Sequence, residues 1–574
     1  MFGRRSQLTS KRNEEDRRTL TSPLRVKPTP ELRLSFRAVL CLTSPLIVGV
    51  IIAQREYSII FAIGSLWAIS QDGLDEWRVR GPRLLWVGVA GGIGVLLGAT
   101  FVNHEAASWT LIVLYGAVAF LAGYIEASNR ATAGAYLLVG TILGGGLRFP
   151  GKIWQSALAL ALGSLWVFLV AFLMNRRGRW SVQRLTLARA FNELAGVADA
   201  IGTPQFSSVR DRAVSALDRA NDVVGMRPLR ADNREALALQ RCLVVALRIG
   251  EVISFLEIKG ASVDPAMASG LRDIATILNE SNATSAVAAL ENFPHRFESP
   301  SGLHPSVLTA LEPVSLEELE AHPLRPLTRA ATRSSLAVRE RLRFALILAV
   351  AVAAGTAISV TLNDPHGFWL PMSVALILRP DVGPVISRAL ARTVGTVVGV
   401  GIAGIVALTG NAILALILLS CVMAAIQPWA ARRSHTLAIM VFTPLVFVFL
   451  GLLGSDRGLF AARIIDTALA AGVVLILDVC VWTTAPSMRP AQQLQQARAA
   501  AARYEDDATL DDPITRTRLR RAALRAVVRA RASLSQNRTE PRLLERHDPT
   551  IAAQLDNVER SIDEHTASLL EQHS

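Results

Sequence analysis

Leu84-Leu85-Trp86-Val87-Gly88-Val89-Ala90-Gly91-Gly92-Ile93-Gly94-Val95-Leu96-Leu97-Gly98-Ala99-Thr100-Phe101-Val102 runs for 19 residues without a charge. About 20 predominantly apolar residues in helical geometry cross the hydrocarbon core of a bilayer, so this stretch reads as a transmembrane helix. Arg83 opens it, and 309 residues further on Arg392 opens a second apolar run, 391–409. Glycines recur along both, at Gly88, Gly91 and Gly92 and at Gly395, Gly399 and Gly401. Such small residues let membrane helices approach closely.

The same offset of 309 holds outward from this pair. It relates Gly92 to Gly401, Gly163 to Gly472, Ala188-Arg189 to Ala497-Arg498, and Arg212-Ala213 to Arg521-Ala522. A register kept over that length points to tandem duplication of a whole unit, and duplicated membrane units commonly bind a solute between their halves.

Apolar runs predict six spans in each copy. The first set is 36–53, 57–70, 84–102, 107–125, 131–147 and 153–174; the second is 342–362, 367–379, 391–409, 411–427, 435–453 and 461–482. An even number returns the chain to its starting side, so the copies are expected to be parallel. The expected fold is an all-α integral membrane protein of two parallel six-helix transmembrane modules, each followed by a cytoplasmic helical region. The boundaries are a basic, disordered N-terminus at 1–35, a first module at 36–175, a helical domain at 176–340, a second module at 341–484 and a C-terminal helical region at 485–574.

Composition agrees: 51% of residues are hydrophobic, 19% are charged and mean hydropathy is +0.36. The net charge of +13 is carried by arginine, since Lys11, Lys27, Lys152 and Lys259 are the only lysines. Arg78, Arg80, Arg83, Arg130, Arg379, Arg388, Arg392, Arg432 and Arg433 fall in one set of short loops, and Arg55, Arg148, Lys152 and Arg457 in the other. That bias places the N- and C-termini in the cytoplasm of a multi-pass plasma-membrane protein and disfavours nucleic acid as a partner. Residues 1–35 are too long and polar for the start of a signal peptide. Cys41, Cys242, Cys421 and Cys480 are too scattered for a disulfide framework or a metal site, and no cofactor or metal is expected.

Two stretches outside the apolar blocks have helical periodicity: Leu187, Phe191, Leu194 and Ala198, then Leu239, Leu243, Ala246, Ile249 and Ile253. The second could pass for a span. Arg241, Arg248 and Glu251 would each cost about 2.5–3.5 kcal/mol near a bilayer centre, so a soluble amphipathic helix is favoured.

Candidate functional residues cluster around the two short segments, 57–70 and 367–379, each followed by a polar group: Gln71-Asp72-Gly73 and Arg379-Pro380-Asp381-Val382-Gly383. An interrupted helix lining a solute site and a tilted span ending in an ordinary turn both fit. Arg83 and Arg392 are either a pair of anion-attracting guanidinium groups near the pseudo-axis or interfacial arginines that set topology. Asp466, three residues after Arg463, is placed to pair with it on one helix face, for proton coupling or as a structural ion pair. His366 can titrate at the outer mouth and Trp369 can anchor the interface; both can equally be turn and boundary residues. Asp478 reads as interfacial. Gly146-Leu147-Arg148-Phe149-Pro150-Gly151-Lys152 imitates a phosphate loop, but Ile153 replaces the magnesium-binding hydroxyl, which argues against nucleotide binding. The C-terminal run Arg516, Arg518, Arg520, Arg521, Arg525, Arg529 and Arg531, with Leu524, Val527 and Val528 as an apolar stripe, is a charged face on a helical bundle or a lipid-binding helix.

Gly367-Phe368-Trp369-Leu370-Pro371-Met372-Ser373-Val374, Arg379-Pro380-Asp381-Val382-Gly383, Arg388, Arg392, Gly395-Thr396, Arg463-Ile464-Ile465-Asp466-Thr467 and Gly472 resemble the fusaric acid resistance and aromatic acid exporter family. Gln71-Asp72-Gly73 lacks the arginine-proline of that pattern, so the first copy matches it weakly. The resemblance implies an inner-membrane protein of two six-helix modules that exports aromatic carboxylic acids. It also implies a distant similarity to plant aluminium-activated malate transporters, with the duplicated chain as a fused pseudo-dimer. The expected function is export of small organic anions between the modules, without enzymatic chemistry. Arg83, Arg379, Asp381, Arg392 and Trp369 would bind substrate, and Arg463, Asp466, His366 and Asp72 would gate or couple. A homo-oligomer or an accessory envelope protein is a further expected partner, beside membrane lipid. The competing expectation is a non-transporting, membrane-anchored scaffold whose helical regions bind a partner.

Overall fold

The structure, a computed structural model, describes residues 30–73, 77–103, 108–129, 133–147, 151–175, 180–225, 233–260, 264–293, 338–362, 366–379, 385–408, 412–452, 459–481, 490–507, 513–539 and 550–572. Asp381, Arg130, Arg457, the start of the 363–366 turn, the core of the phosphate-loop imitation at 148–150, most of the basic N-terminus and the end of the first helical region at 294–337 lie outside them.

Twenty α-helices and no strand occur among the described residues. The first copy holds α1 (Pro30–Ile51), α2 (Arg55–Ser70), α3 (Trp77–Asn103), α4 (Ser108–Asn129), α5 (Ala133–Gly146) and α6 (Ile153–Asn175). The second holds α12 (Val338–Thr361), α13 (Trp369–Ile377), α14 (Val385–Ala407), α15 (Ile413–Arg433), α16 (His435–Leu452) and α17 (Leu459–Val481). Every apolar run read from the sequence is thus a helix, but only nine of the described helices are long and apolar enough to cross a membrane. The exceptions are α2 with 16 residues, α5 with 14 and α13 with nine, too short for an untilted crossing at 1.5 Å per residue. They are also the enclosed ones: α5 is buried from Gly134 to Gly144 except Leu137, and every residue of α13 except Leu376 is buried.

The packing repeats as the register does. In the first copy α1 packs on α2, α2 on α6, α3 on α5 and α6, and α4 on α5; in the second α12 packs on α13, α13 on α17, α14 on α16 and α17, and α15 on α16. Contacts between copies are reciprocal: α4 lies against α12 and α1 against α15, while α5 meets α13 and α2 meets α16. Two apolar cores therefore draw on both copies, one joining Trp67 and Ile142 to Leu370 and Val474, the other joining Leu42 and Leu66 to Leu416 and Leu445.

Closeness differs between the copies. A Cβ on Gly163 would lie 2.0 Å from the Phe61 carbonyl oxygen, and one on Gly64 would lie 2.0 Å from that of Leu160, so α2 and α6 touch backbone to backbone. Ser65 adds a hydrogen bond across the crossing, donating to the Gly163 carbonyl at 3.1 Å. At the matching places of the second copy stand Ser373 in place of Gly64, and Gly472, around which nothing lies within 4 Å.

Outside the membrane blocks are α7 (Ser181–Asp199), α8 (Phe206–Gly225), α9 (Arg234–Ile258), α10 (Pro265–Glu280) and α11 (Ala283–Glu291), then α18 (Pro490–Asp507), α19 (Pro513–Thr539) and α20 (Thr550–Gln572). Leu187, Phe191, Leu194 and Ala198 are buried as their spacing predicts, and so are Leu239, Leu243, Ala246, Ile249 and Ile253. α9 is the centre of an apolar core of its own and is not among the helices long and apolar enough to cross a membrane. Here too the register persists: α7 packs on α8 and α9 as α18 packs on α19 and α20, with α8 on α19 and α9 on α20 joining the copies.

The C-terminal arginine run is not a free charged face. Arg520 pairs with Asp563 at 3.4 Å and donates to Ser254 at 2.8 Å; Arg521 faces Asp218 at 3.5 Å. Arg525 pairs with Asp218 and, at 3.6 Å, with Asp222, and Arg531 with Asp211 at 3.0 Å, Asp556 at 2.6 Å and Glu559. Leu524 and Val527 are buried between these pairs. Burial alone would push the Glu559 carboxyl up; Arg210 and Arg531 on either side outweigh it and hold it below the ordinary value. The local pattern of α19 could not reveal this, because its acidic partners lie on α8 and α20.

Candidate functional site

α13 is short for reasons written in its sequence. Proline disfavours helical geometry in the residue before it, and Pro380 follows Arg379. The helix accordingly ends at Ile377 and Leu378 is extended. Its other end is set by a turn in which the Trp369 amide donates to the His366 carbonyl at 3.1 Å, while the Ser359 hydroxyl of α12 holds the Gly367 carbonyl. His366 is half-buried there, its backbone closing the helix start.

One face of α13 carries Trp369 and, a turn later, Ser373, with relative exposures of 3% and 0%. Arg463 of α17 reaches this face. Its guanidinium carbon sits 4.1 Å from the centre of the Trp369 ring, and its Nη1 donates to the Ser373 hydroxyl at 3.4 Å. Thr467 secures the helix beneath by donating to the Arg463 carbonyl at 2.7 Å. Arg463 and Asp466 are each 3% exposed; Asp466 acts on the guanidinium as an opposite charge, and Arg392 of α14 acts on it as a like one.

Arg392 is buried on the inward face of α14, beside Gly395, Thr396 and Gly399. Among the described residues its Nε has no hydrogen-bond partner, nor does the Thr396 hydroxyl one turn on, nor the Trp369 indole nitrogen. Arg379 is the like charge felt by Arg392, and Arg379, Arg388 and Arg392 all act on His435 at the start of α16. The structure thus gathers Trp369, Arg379, Arg392, Arg463 and Asp466 of the expected residues around one junction of α13, α14 and α17. Ser373 and Thr396, which stand in the motifs that carry the family resemblance but were given no role, join them, and so does His435, which the sequence did not single out.

Cation–π contact with a desolvated guanidinium is worth about 2 kcal/mol or more. That is well short of what removing such a charge from water costs, several kcal/mol per ion even after relaxation. The junction therefore holds more donors and more positive charge than the described residues neutralise, an arrangement suited to an entering anion.

Asp72 and Arg83 are not part of it. Asp72, in the turn after α2, pairs with Arg37 of α1 and, at 3.3 Å, with Arg80 of α3; its side chain is 4% exposed. Arg80 also donates to the Gly73 carbonyl at 3.1 Å and lies 5.2 Å from the Trp77 ring centre. Arg83, half-buried, acts on Asp72 as a further positive charge. Asp72 is the register mate of Asp381, and Arg83 of Arg392.

Residues 343–477 match the family described as fusaric acid resistance protein-like. The chain is 23% identical over 470 residues to the uncharacterized membrane protein YvaC of Bacillus subtilis, covering 76% of this chain and 70% of YvaC. It is 25% identical over 435 residues to the uncharacterized protein YhfK of Escherichia coli, covering 66% of this chain and 60% of that one. A shorter match of 181 residues, 27% identical, covers 31% of this chain and 24% of the Escherichia coli inner membrane protein YccS. No solved structure matches the chain. The protein is a multi-pass membrane protein, all-helical among the described residues, whose residues 343–477 match the fusaric acid resistance protein-like family.

Proposed function

We propose that this protein exports small organic anions, aromatic carboxylic acids foremost, across a bacterial plasma membrane, with both termini cytoplasmic. The observation that carries the reading is Arg392. It is a guanidinium 7% exposed, with an unpartnered Nε and no ion pair among the described residues, set beside a second buried guanidinium, Arg463. A carboxylate entering between them takes two charge-assisted hydrogen bonds, each worth about 1.5–3 kcal/mol. The Thr396 hydroxyl and the Trp369 indole nitrogen are further donors for its second oxygen, and the Trp369 ring gives a planar apolar wall to an aromatic body. Asp466 attracts Arg463 in the absence of the anion, so solute and Asp466 compete for one guanidinium. The family description names resistance to an organic acid, and the inner-membrane description of YccS supports the same location.

Efflux of labelled benzoate from proteoliposomes tests this. Arg392→Ala is expected to lower flux at least tenfold, about 1.4 kcal/mol of lost stabilisation, with insertion unchanged. Undiminished flux in that variant overturns the assignment. The alternative scaffold passes no anion at all in such vesicles. It also has less to offer a partner, because Arg520, Arg521, Arg525 and Arg531 are already engaged within the chain.

A further inference from the structure

We propose that the cavity between α8, α9 and α19 binds a small zwitterion, alanine foremost among the smallest apolar amino acids, with Glu251 taking the ammonium and Arg210 and Arg521 the carboxylate. The site lies where helices of the two copies meet outside the candidate spans, and it does not depend on the export reading.

Apolar and charged groups share this cavity. Leu194 of α7, Leu217 of α8, Leu247 of α9 and Leu524 of α19 line it, together with Arg210, Glu251, Ser254, Arg520 and Arg521. Its volume of about 40 Å³ holds about three waters at roughly 10–15 Å³ each, so an occupant is small.

Glu251 is the anomaly. It is 7% exposed, and it forms neither a hydrogen bond nor an ion pair among the described residues. A buried carboxylate without a partner is costly, and a cationic group placed against it removes that cost. A simple cation is the wrong occupant, because three guanidinium groups, each 6% or 7% exposed, line the same walls. One of them is close: Arg520 donates to Ser254 at 2.8 Å, and Ser254 stands one turn after Glu251 on α9.

The positive side is incompletely answered as well. Arg520 is engaged by Ser254, by Thr566 at 3.1 Å and by Asp563. The Nε atoms of Arg210 and Arg521, by contrast, make no hydrogen bond among the described residues. The Asp218 oxygen nearest to Arg521 Nε is 3.5 Å away, beyond ordinary N–H···O length. Burial accordingly outweighs Asp218 and holds the Arg521 guanidinium down at about 10. An open acceptor and two open donors thus border one apolar hollow. A ligand with a single charge leaves the opposite side unanswered, whereas an amino acid answers both and lays its methyl group on the leucines.

Thermal unfolding of the purified full-length protein tests the assignment. L-Alanine at millimolar concentrations is expected to raise the melting midpoint saturably, by about 2 °C or more. Ethylamine and propionate, each lacking one of the two charges, should not do so at equal ionic strength, nor should phenylalanine, which is too large. Glu251→Gln is expected to melt no earlier than the wild type without ligand, because an orphan charge is gone, and to lose the alanine response. Arg521→Gln should lose it too; if that chain does not fold, Glu251→Gln decides alone. Arg392→Ala is expected to respond in full. The proposal is overturned by the absence of a saturable shift with alanine, by an equal shift from any of the three control compounds, or by a full response in Glu251→Gln or Arg521→Gln. A Glu251→Gln protein that melts earlier than the wild type would overturn it as well, since the carboxylate would then have a partner within the chain. Loss of the response in Arg392→Ala would move the alanine site to the membrane junction and equally sink the assignment.

Discussion

At the scale of single residues, both copies bury guanidinium nitrogens that make no hydrogen bond among the described residues, Arg37 Nε in the first and Arg392 Nε in the second, and the second adds a hydroxyl, that of Thr396. Thr396 is 1% exposed and its hydroxyl has no partner among the described residues, a condition that costs about 1–3 kcal/mol. A carboxylate entering beside Arg392 would remove that cost. Thr396→Val keeps the shape and deletes the hydroxyl, so it separates the two roles. The ligand-free protein is expected to gain about 1 kcal/mol in thermal unfolding, while benzoate affinity falls several-fold. A variant that loses stability in the absence of anion would show that the hydroxyl has a protein partner and is not waiting for a solute. The same logic explains why Asp72 and Asp466 differ although both are buried carboxylates. Asp72 is ion-paired between two helices, whereas Asp466 acts through its charge on Arg463, a guanidinium that also meets a ring face and a serine.

At the scale of elements, the difference between copies lies in how tightly the second helix of each crosses the sixth. A Cβ on Gly163 would sit 2.0 Å from a backbone oxygen that no rotamer change can move, so α2 and α6 would have to separate. Overpacking of this kind costs typically about 1–3 kcal/mol, and more where backbone is the obstacle. Gly163→Ala is therefore expected to lower the melting midpoint of the purified protein markedly, and Gly472→Ala, its register mate, to be tolerated; equal effects would mean that the copies are equally closed. Most of the elements were legible beforehand, because an apolar run near 20 residues declares itself whatever its partners; most helix ends fall within four residues of the predicted spans, but α1, α3 and α14 start and α15 ends six or seven residues beyond them. α2, α5 and α13 were legible as segments but not as buried ones, since all-round hydrophobicity does not tell lipid from protein neighbours. Arg463 was expected to answer to Asp466 on its own helix; its contacts with Trp369 and Ser373 cross to α13 and have no local signature. Arg37 was hidden for a related reason: it lies inside the first apolar helix, and its partner is 35 residues away in sequence.

At the scale of the whole molecule, the helices outside the candidate spans are sorted by charge. α8 and α19 are register mates packed against each other, yet positions that match carry opposite signs: Asp211 against Arg520, and Asp222 against Arg531. α19 contains no acidic residue, so two copies of it would set arginine against arginine, and two copies of α8 would lose every partner of Asp218. Ser254 of α9 and Asp563 of α20, again register mates, both bind Arg520, which ties the two tails together where the copies meet. Like charges juxtaposed at an interface cost several kcal/mol and suppress wrong pairings, so the halves should recognise each other and not themselves. The test is to divide the chain between α11 and α12 and express the pieces together. With the membrane contacts of α4 on α12 and α1 on α15 added to the charge-paired tails, the two fragments are expected to co-purify in equal amounts and to recover benzoate flux. Each fragment alone should fail to dimerise. Reversing Arg520, Arg525 and Arg531 to glutamate in the second fragment is expected to abolish the association, and joint reversal of Asp211, Asp218 and Asp222 to arginine in the first to restore part of it. Fragments that pair equally well with themselves, or that ignore both reversals, would show that the apolar membrane contacts alone hold the halves together and that the sorting of charge between α8 and α19 has no part in assembly.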